Sequence, residues 1–142
     1  KKKNFLSYQH CTLFKPNLKE LKEGLGLSFD YSKNPEALDN ALVELQKQLH
    51  NQFSFVTLSE HGVQLFDGTT QYKNPAHLRN IADVSGAGDT VIATASLCLI
   101  CKAQPQLIAA IANLAGGLVC ESPGVVSINK QLLLEEALQN LS

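Results

Sequence analysis

The hydrophobic period of the sequence changes repeatedly, and this alternation constrains the fold more than any other feature. Apolar residues recur at helical spacing from Leu38 to Leu49, directly after Asn34-Pro35, which predicts a helix capped by Asn34. The compact apolar run over 53–58 is typical of a buried strand. Two helices over 90–101 and 105–120 are apolar nearly all round and are expected to be buried. Strands that alternate with helices predict an α/β fold with a mainly parallel sheet.

Shorter elements complete this pattern. Asn17 and Glu20 are spaced as a capping box at the start of a helix that Gly24 and Gly26 end. Asp67-Gly68 predicts a hairpin turn. We further predict strands over 8–14, 63–66 and 124–128 and a closing amphipathic helix over 130–141. No internal repeat or interdomain linker interrupts this order, which favours one compact unit.

The composition narrows the class of protein. The chain has 142 residues, 44% hydrophobic and 18% charged, with a net charge of −1, which argues against a disordered tail and against a nucleic-acid partner. No stretch approaches the ~20 apolar residues of a membrane span, so we expect no membrane partner. Three of the four cysteines lie in apolar runs, as reduced thiols do, and we expect a cytoplasmic protein. The Lys1-Lys2-Lys3 start and the absence of Met predict a chain that was processed, trimmed or cut from something longer.

A glycine-rich turn carries the clearest chemical signal. Gly86, Ala87 and Gly88 lie where a helix begins, so several backbone N–H groups can point at one spot at the positive end of the helix dipole. This arrangement predicts an anion hole. Asp89 follows directly, close enough to a bound anion to accept a proton from an attacking hydroxyl.

Three alternatives compete for this turn. A Walker phosphate loop is excluded because its lysine and its G-x-x-x-x-G-K-[ST] spacing are missing. A dinucleotide-binding fingerprint would need a third glycine where Val91 stands, and it normally follows the first strand of its unit. A functionally silent helix entry, with Asp89 stabilised by the helix dipole, remains open on these residues alone.

The turn does not stand alone in the sequence. Asp-x-Ser-Gly-Ala-Gly-Asp over 83–89, with Lys-Pro-Asn-Leu-Lys-Glu over 15–20 and Asn-Leu-Ala-Gly-Gly over 113–117, resembles the ribokinase-like (PfkB) family of carbohydrate kinases. Within that family, the segments 15–17, 59–62 and 88–93 look most like the heptose-7-phosphate kinases, the kinase domain of bifunctional ADP-heptose synthases. The resemblance implies a ribokinase-like three-layer sandwich, of which residues 1–142 would be the C-terminal, nucleotide-binding and catalytic-base half, with no second domain.

The resemblance also implies roles for particular positions. Asp89 matches the catalytic base, and Gly86, Ala87 and Gly88 match the anion hole. Asn17 and Glu20 match the N-x-x-E motif that orders the magnesium hydration shell, so Glu20 would act on Mg²⁺ through water. The nucleotide-binding positions implied in this way are Asn17, Leu18, Lys19, Glu20, Thr57, Ser59, Gly62 and Asn113.

Some of these positions have a purely structural alternative, and some depart from the family pattern. A capping box explains Asn17 and Glu20 equally well and is compatible with the family role. Asn113, matched to a residue near adenine or ribose, could instead be a satisfied core amide. Asp83 and the Ser85 carbonyl match a monovalent-cation site that would take K⁺, although Ser85 stands where threonine is commoner.

The function implied is ATP-dependent phosphorylation of a sugar or sugar phosphate hydroxyl, with Mg²⁺ as cofactor and a heptose 7-phosphate as the favoured acceptor. Nothing in the sequence matches the family's sugar pocket, so we expect the isolated fragment to be inactive. We also expect it to form a homo-oligomer or to associate with the missing N-terminal half, because lost strands would leave a sheet edge unprotected. The alternatives are a nucleotide-binding or regulatory module without phosphotransfer, and a dinucleotide-binding domain.

Overall fold

The computed structural model describes residues 2–141 of the chain, which divide into two compact units. The first unit comprises the chain through Leu58 together with Gln64–Tyr72, and the second comprises Ser59–Val63 together with the chain from Lys73 onward. The prediction of one compact unit is therefore wrong. The chain leaves the first unit after Leu58 and returns to it at Gln64. Within the described residues, no helix is long and apolar enough to cross a membrane.

The elements follow one another in a mixed α and β order. After a 3₁₀ turn at Lys2–Ser7 come β1 (Leu13–Phe14), α1 (Leu18–Leu25), α2 (Glu36–Leu49), β2 (Phe53–Thr57), β3 (Val63–Phe66), β4 (Gln71–Asn74), α3 (Ala87–Ile100), α4 (Pro105–Val119) and α5 (Lys130–Asn140). This order confirms the predicted α/β class.

The four strands form one sheet in the order β1-β2-β3-β4. The first pair is parallel, with Leu13 opposite Phe53. The remaining strands follow each other through short connections, which can join only antiparallel neighbours, and the Asp67 N–H donates to the Thr70 carbonyl at 3.3 Å in the last turn. The sheet of the described residues is therefore mixed, where a mainly parallel sheet was expected.

The core of the first unit is built from the apolar faces of its two helices and its central strand. On α2, Leu38, Leu42, Leu45 and Leu49 are fully buried, as their helical spacing predicts. Each such leucine contributes roughly 1.5–3 kcal/mol of transfer free energy. On α1, Leu21 is fully buried as well. This packing fixes the end of α1 that carries candidate site residues.

The second unit is organised around α4, the most buried helix of the chain. It packs against α3, and Gly116 allows the close approach, because a Cβ there would lie 2.6 Å from Val91 Cγ2. The opposite face of α3 is open: Leu97 is 64% exposed and Ile100 is 76% exposed. The expectation that α3 is buried all round is therefore wrong, since only one of its faces packs within this unit.

Four further boundaries differ from the sequence-based prediction. The predicted strand over 8–14 shortens to β1, because His10 adopts a left-handed φ of 59° that interrupts an extended backbone. No strand forms over 124–128, where Gly124 has φ 74° and the backbone turns. The cap of α2 is Pro35, although the Asn34 side chain still accepts a 3.3 Å hydrogen bond from the Ala37 N–H. The closing helix α5 forms, but its apolar residues are at most half-buried, as Leu133 and Ala137 are.

Candidate functional site

The candidate site residues fall in both units. Those at the start of α1 and the end of β2 belong to the first unit, and those from Ser59 onward belong to the second. The structure brings residues together within each of these two groups.

In the first unit, the parallel pairing of β1 with β2 continues beyond the strands to the start of α1. Asn17 and Thr57 form an isolated parallel bridge, and the Thr57 N–H donates to the Pro16 carbonyl at 3.3 Å. This pairing places the N-x-x-E segment beside the end of β2. Lys19 is exposed and Leu18 is half-buried at the same helix start.

The predicted capping box at the start of α1 is confirmed. The Asn17 Oδ1 accepts from the Glu20 N–H at 2.8 Å, and the Glu20 Oε2 accepts from the Asn17 N–H at 3.0 Å. Both residues remain exposed. Within the described residues, Glu20 Oε1 accepts no hydrogen bond. An exposed carboxylate oxygen suits Mg²⁺, which prefers oxygen ligands and keeps several waters, so the donor set fits the implied cofactor.

In the second unit, Ser59 and Gly62 occupy a tight turn with left-handed backbone at both positions. Ser59 has φ 54° and Gly62 has φ 89°. A Cβ at Gly62 would lie 2.1 Å from the Asn74 carbonyl oxygen and 2.6 Å from the backbone of Pro75 and Ala76. Only glycine fits there, and Ser59 holds a conformation that favours glycine.

Asn113 on α4 contacts the same segment as Gly62. Its Nδ2 donates to the Pro75 carbonyl at 2.7 Å. The Asn113 amide therefore has a hydrogen-bond partner, but the side chain is half-buried. The alternative of a core amide is wrong, because Asn113 does not lie in the core. Gly62 and Asn113 thus converge on one loop backbone, where a face of the Asn113 side chain stays open to solvent.

The glycine-rich turn starts α3 as predicted. Gly86 is the helix N-cap with φ 79°, and a Cβ there would lie 2.9 Å from Val125 Cγ1. No side chain caps the helix. The Ala87 N–H donates to the Val84 carbonyl at 3.3 Å, so it is engaged in the turn.

Two N–H groups at the start of α3 are available, that of Gly88, which was predicted as a donor, and that of Asp89. Among the residues that the structure describes, the N–H groups of Gly88 and Asp89 meet no acceptor. The Asp89 side chain is exposed in the first turn of α3. Free N–H groups at the positive end of a helix dipole, next to an exposed carboxylate, can hold an anion and accept a proton beside it.

Asp83 stabilises the turn before α3 through hydrogen bonds to both of its carboxylate oxygens. Its Oδ1 accepts from the Ser85 N–H at 2.9 Å, and its Oδ2 accepts from the Gly124 N–H at 3.0 Å. The hydrogen bonds from Ser85, followed by that from Gly124, hold the pKa of Asp83 below its ordinary value. No cluster of three or more His, Cys, Asp or Glu side chains that could hold a metal occurs in the described part of the chain.

The segment that supports this turn was not predicted from the sequence. Gly124 and Val125 contact Asp83 and Gly86, yet their β-branched neighbours suggested a strand. The signal that could have corrected this was Pro123-Gly124, a dipeptide typical of a turn. The buried Arg79 was not predicted as a site residue either.

The folded arrangement matches known kinases. Phosphofructokinase-2 from Escherichia coli, solved in complex with substrates and products, superposes with a TM-score of 0.87 at 18% identity, covering 97% of this chain and 44% of that one. Ribokinase from Thermotoga maritima superposes with a TM-score of 0.76 at 19% identity, covering 99% of this chain and 45% of that one. The fold is therefore ribokinase-like.

The sequence comparison gives the family. The profile of the pfkB family carbohydrate kinases matches residues 2–132, and the chain belongs to this family. The bifunctional protein HldE of Campylobacter curvus is 36% identical over 89% of this chain and 26% of its own length. The HldE protein of Helicobacter pylori is 35% identical over 87% of this chain and 26% of its own length. The chain thus spans about a quarter of the curated relatives that it matches.

Proposed function

We propose that this chain is the nucleotide-binding and catalytic-base part of a carbohydrate kinase that phosphorylates a sugar hydroxyl with ATP. The observation that carries the proposal is the uncapped start of α3, where the N–H groups of Gly88 and Asp89 meet no acceptor among residues 2–141 and lie beside the exposed Asp89 carboxylate. Phosphoryl transfer needs positioning and charge stabilisation more than a strong base, and this turn supplies both.

In the proposed reaction, proton transfer and charge stabilisation fall to different groups of the site. Asp89 accepts the proton of the sugar hydroxyl as the oxygen attacks the γ-phosphorus, and the bond from that phosphorus to the β,γ-bridging oxygen breaks as ADP leaves. The N–H groups of Gly88 and Asp89 stabilise negative charge on the phosphoryl oxygens. Bound magnesium would neutralise charge on the phosphates, with Glu20 and Asn17 orienting its water ligands.

The remaining site positions have proposed roles that follow from their placement. Thr57, at the end of β2, and Ser59 with Gly62, in the turn after it, would border the nucleotide phosphates. Asn113 would contact the adenine or ribose while it holds the Pro75 carbonyl. Asp83 and the Ser85 carbonyl would contribute to a potassium site, with the Asp83 carboxylate held in place by the N–H groups of Ser85 and Gly124.

We propose a heptose 7-phosphate as the acceptor. The support is the likeness of segments 15–17, 59–62 and 88–93 to heptose-7-phosphate kinases. We further propose that the sugar pocket lies outside these residues, because the chain spans 26% of its HldE relatives. Transfer to phosphorylated heptoses, and not to unphosphorylated sugars, by the longer protein would support this acceptor.

The base is tested by Asp89→Asn in the longer protein, with Asp30→Asn as a control at an exposed position outside the site. We expect turnover to fall at least ~100-fold with ATP affinity retained, because general bases contribute about 10²–10⁴-fold. Turnover unchanged in Asp89→Asn would refute the assignment. Binding of ATP–Mg without any turnover in the unmodified protein would instead identify a regulatory module, and binding of NAD would identify a dinucleotide-binding domain.

The open face of α3 supports a proposal about assembly. Asp89, Ala93, Leu97 and Ile100 share one exposed stripe, three of its four members apolar. We propose that the remaining part of the kinase covers this stripe and that the isolated chain otherwise self-associates. Light scattering on the isolated chain tests this, with Leu97→Gln as the variant. A monodisperse monomer at all concentrations would contradict it.

A further inference from the structure

Arg79 lies in the segment between β4 and α3, and its side chain is only 6% exposed. Its Nη1 donates to Glu121 Oε1 at 2.8 Å and to Glu136 Oε1 at 3.0 Å, and its Nη2 donates to Glu136 Oε2. One guanidinium therefore joins α5 to the turn that follows α4. Hydrogen bonding to Glu136 raises the pKa of Arg79, so the guanidinium stays charged at any working pH.

A glycine on α4 makes room for this guanidinium. A Cβ at Gly117 would lie 2.6 Å from Arg79 Nε and 3.0 Å from Arg79 Cδ. The Nε atom is buried and has no hydrogen-bond partner within the described residues. Since the other guanidinium nitrogens are held by two glutamates, the side chain cannot swing away from α4. The Arg79 side chain therefore lies between the backbone of α4 at Gly117 and the carboxylates of Glu121 and Glu136.

The backbone on either side of Arg79 is bound to the same helix. We call residues 75–83 the strap. At its start, the Pro75 carbonyl accepts from Asn113, and at its end the N–H groups of Ala82 and Asp83 donate to the Cys120 carbonyl at 2.8 and 3.1 Å. Between these two attachments, Arg79 joins the middle of the strap to Glu121 and Glu136. The strap is therefore bound to α4 at both ends and to the two glutamates in its middle.

The strap leads directly into the candidate anion site. Its last residue, Asp83, accepts from the Ser85 N–H, and α3 begins at Ala87. We propose that Arg79 is a positioning residue that acts through Glu136 and Glu121 to hold the strap and, through it, the turn at Gly86-Ala87-Gly88 and Asp89. The expected effect on nucleotide binding rests on the proposed function. The role of Arg79 in holding the strap rests on the contacts of Arg79 alone.

Arg79→Gln tests the inference by amide hydrogen exchange on the isolated chain. We expect the N–H groups of Ala82, Asp83 and Ser85 to exchange at least about tenfold faster, because the strap loses its central anchor. Those of Leu114 and Leu118 on α4 should keep their rates. Lys102→Gln, which removes an exposed charge, is the matched control and should change neither set. Equal acceleration at Leu114 and Leu118 would mean that Arg79 only stabilises the unit as a whole and would overturn the proposal.

Two further variants separate positioning from charge. Arg79→Lys should not restore slow exchange, because an ammonium cannot bridge two carboxylates with the geometry of a guanidinium. Glu136→Gln should accelerate the same amides, and the double variant with Arg79→Gln should be no worse than Arg79→Gln alone. Glu135→Gln, at the neighbouring exposed position of α5, is the control. Additive effects of the two substitutions would show that Arg79 does not act through Glu136.

Calorimetry with ATP–Mg then connects the strap to the anion site. We expect Arg79→Gln to weaken binding by about tenfold, as loss of a supporting partner commonly does, with Lys102→Gln unchanged. This calorimetry uses the longer protein. If the unmodified longer protein binds no ATP–Mg, the proposed function fails, and the exchange rates alone decide whether Arg79 holds the strap. If it binds ATP–Mg and its Arg79→Gln variant binds equally well, the proposed function stands and the positioning role is overturned.

Discussion

The turn at Gly62 offers a substitution whose cost can be divided into two parts. Gly62→Ala forces alanine into a φ of 89° and places a Cβ 2.1 Å from the Asn74 carbonyl oxygen. A left-handed backbone costs an L-residue roughly 1–2 kcal/mol, offset by about 0.4–1 kcal/mol from the reduced freedom of the unfolded chain. The contact adds overpacking of about 1–3 kcal/mol, because the atoms it meets are backbone and cannot rotate away.

Gly26→Ala is the matched control. Gly26 also has a left-handed backbone, with φ 66°, but a Cβ there would meet nothing within 4 Å. We expect this variant to lose about 1 kcal/mol of unfolding free energy and Gly62→Ala to lose about 2–4 kcal/mol. Urea unfolding followed by circular dichroism measures both losses.

The difference between the two variants isolates the contact with Asn74, Pro75 and Ala76. Because the Pro75 carbonyl accepts from Asn113, displacement of this loop should also disturb that hydrogen bond. Equal losses of unfolding free energy in Gly62→Ala and Gly26→Ala would refute this explanation. Both variants would then show only the cost of a left-handed backbone at alanine.

Three other outcomes follow from the structure. Ser59→Gly should raise the unfolding free energy by about 1 kcal/mol in urea unfolding, because Ser59 has φ 54°; no gain would contradict the strain. Asn17→Ala should cost about 1 kcal/mol in the same assay through loss of the capping box, and Asn17→Ser, which keeps a cap, should cost less. Hydrogen bonding to Arg79 holds the pKa of Glu136 below its ordinary 4.5, so its contribution to stability is present above pH 4.5 and is lost as the pH falls through the depressed value. Glu136→Gln should therefore flatten the stability profile below pH 4.5, and an unchanged profile would contradict this assignment.

Local signals in the sequence predicted the helices and the capping box correctly. The Leu38 to Leu49 periodicity and the Asn17 to Glu20 spacing depend on contacts within a few residues, and the structure shows both. The first pair of strands was predicted for the same reason, with β1 shortened by the left-handed His10. The family resemblance was confirmed by the profile match over residues 2–132.

Features that depend on distant contacts could not be predicted in this way. The apolar sequence of α3 does not reveal that Leu97 and Ile100 lack a neighbour within their unit. Likewise, the Val125-Val126 pair favours a strand until Gly124 is seen donating to Asp83. Arg79 looked like any charged loop residue, because its glutamates and Gly117 are far from it in sequence. The roles of the candidate site residues stay predictions, because they too depend on distant contacts.

The contact between Arg79 and Gly117 has a consequence for how this sequence can change over evolutionary descent. The guanidinium occupies the volume in which a side chain at position 117 would begin, so position 117 must stay glycine as long as the arginine is kept. A lineage that replaces the arginine frees position 117 for alanine, a better helix former by about 1 kcal/mol. Homologues that keep the arginine should therefore also keep the glycine, and frequent pairing of arginine with a β-branched residue would contradict the packing.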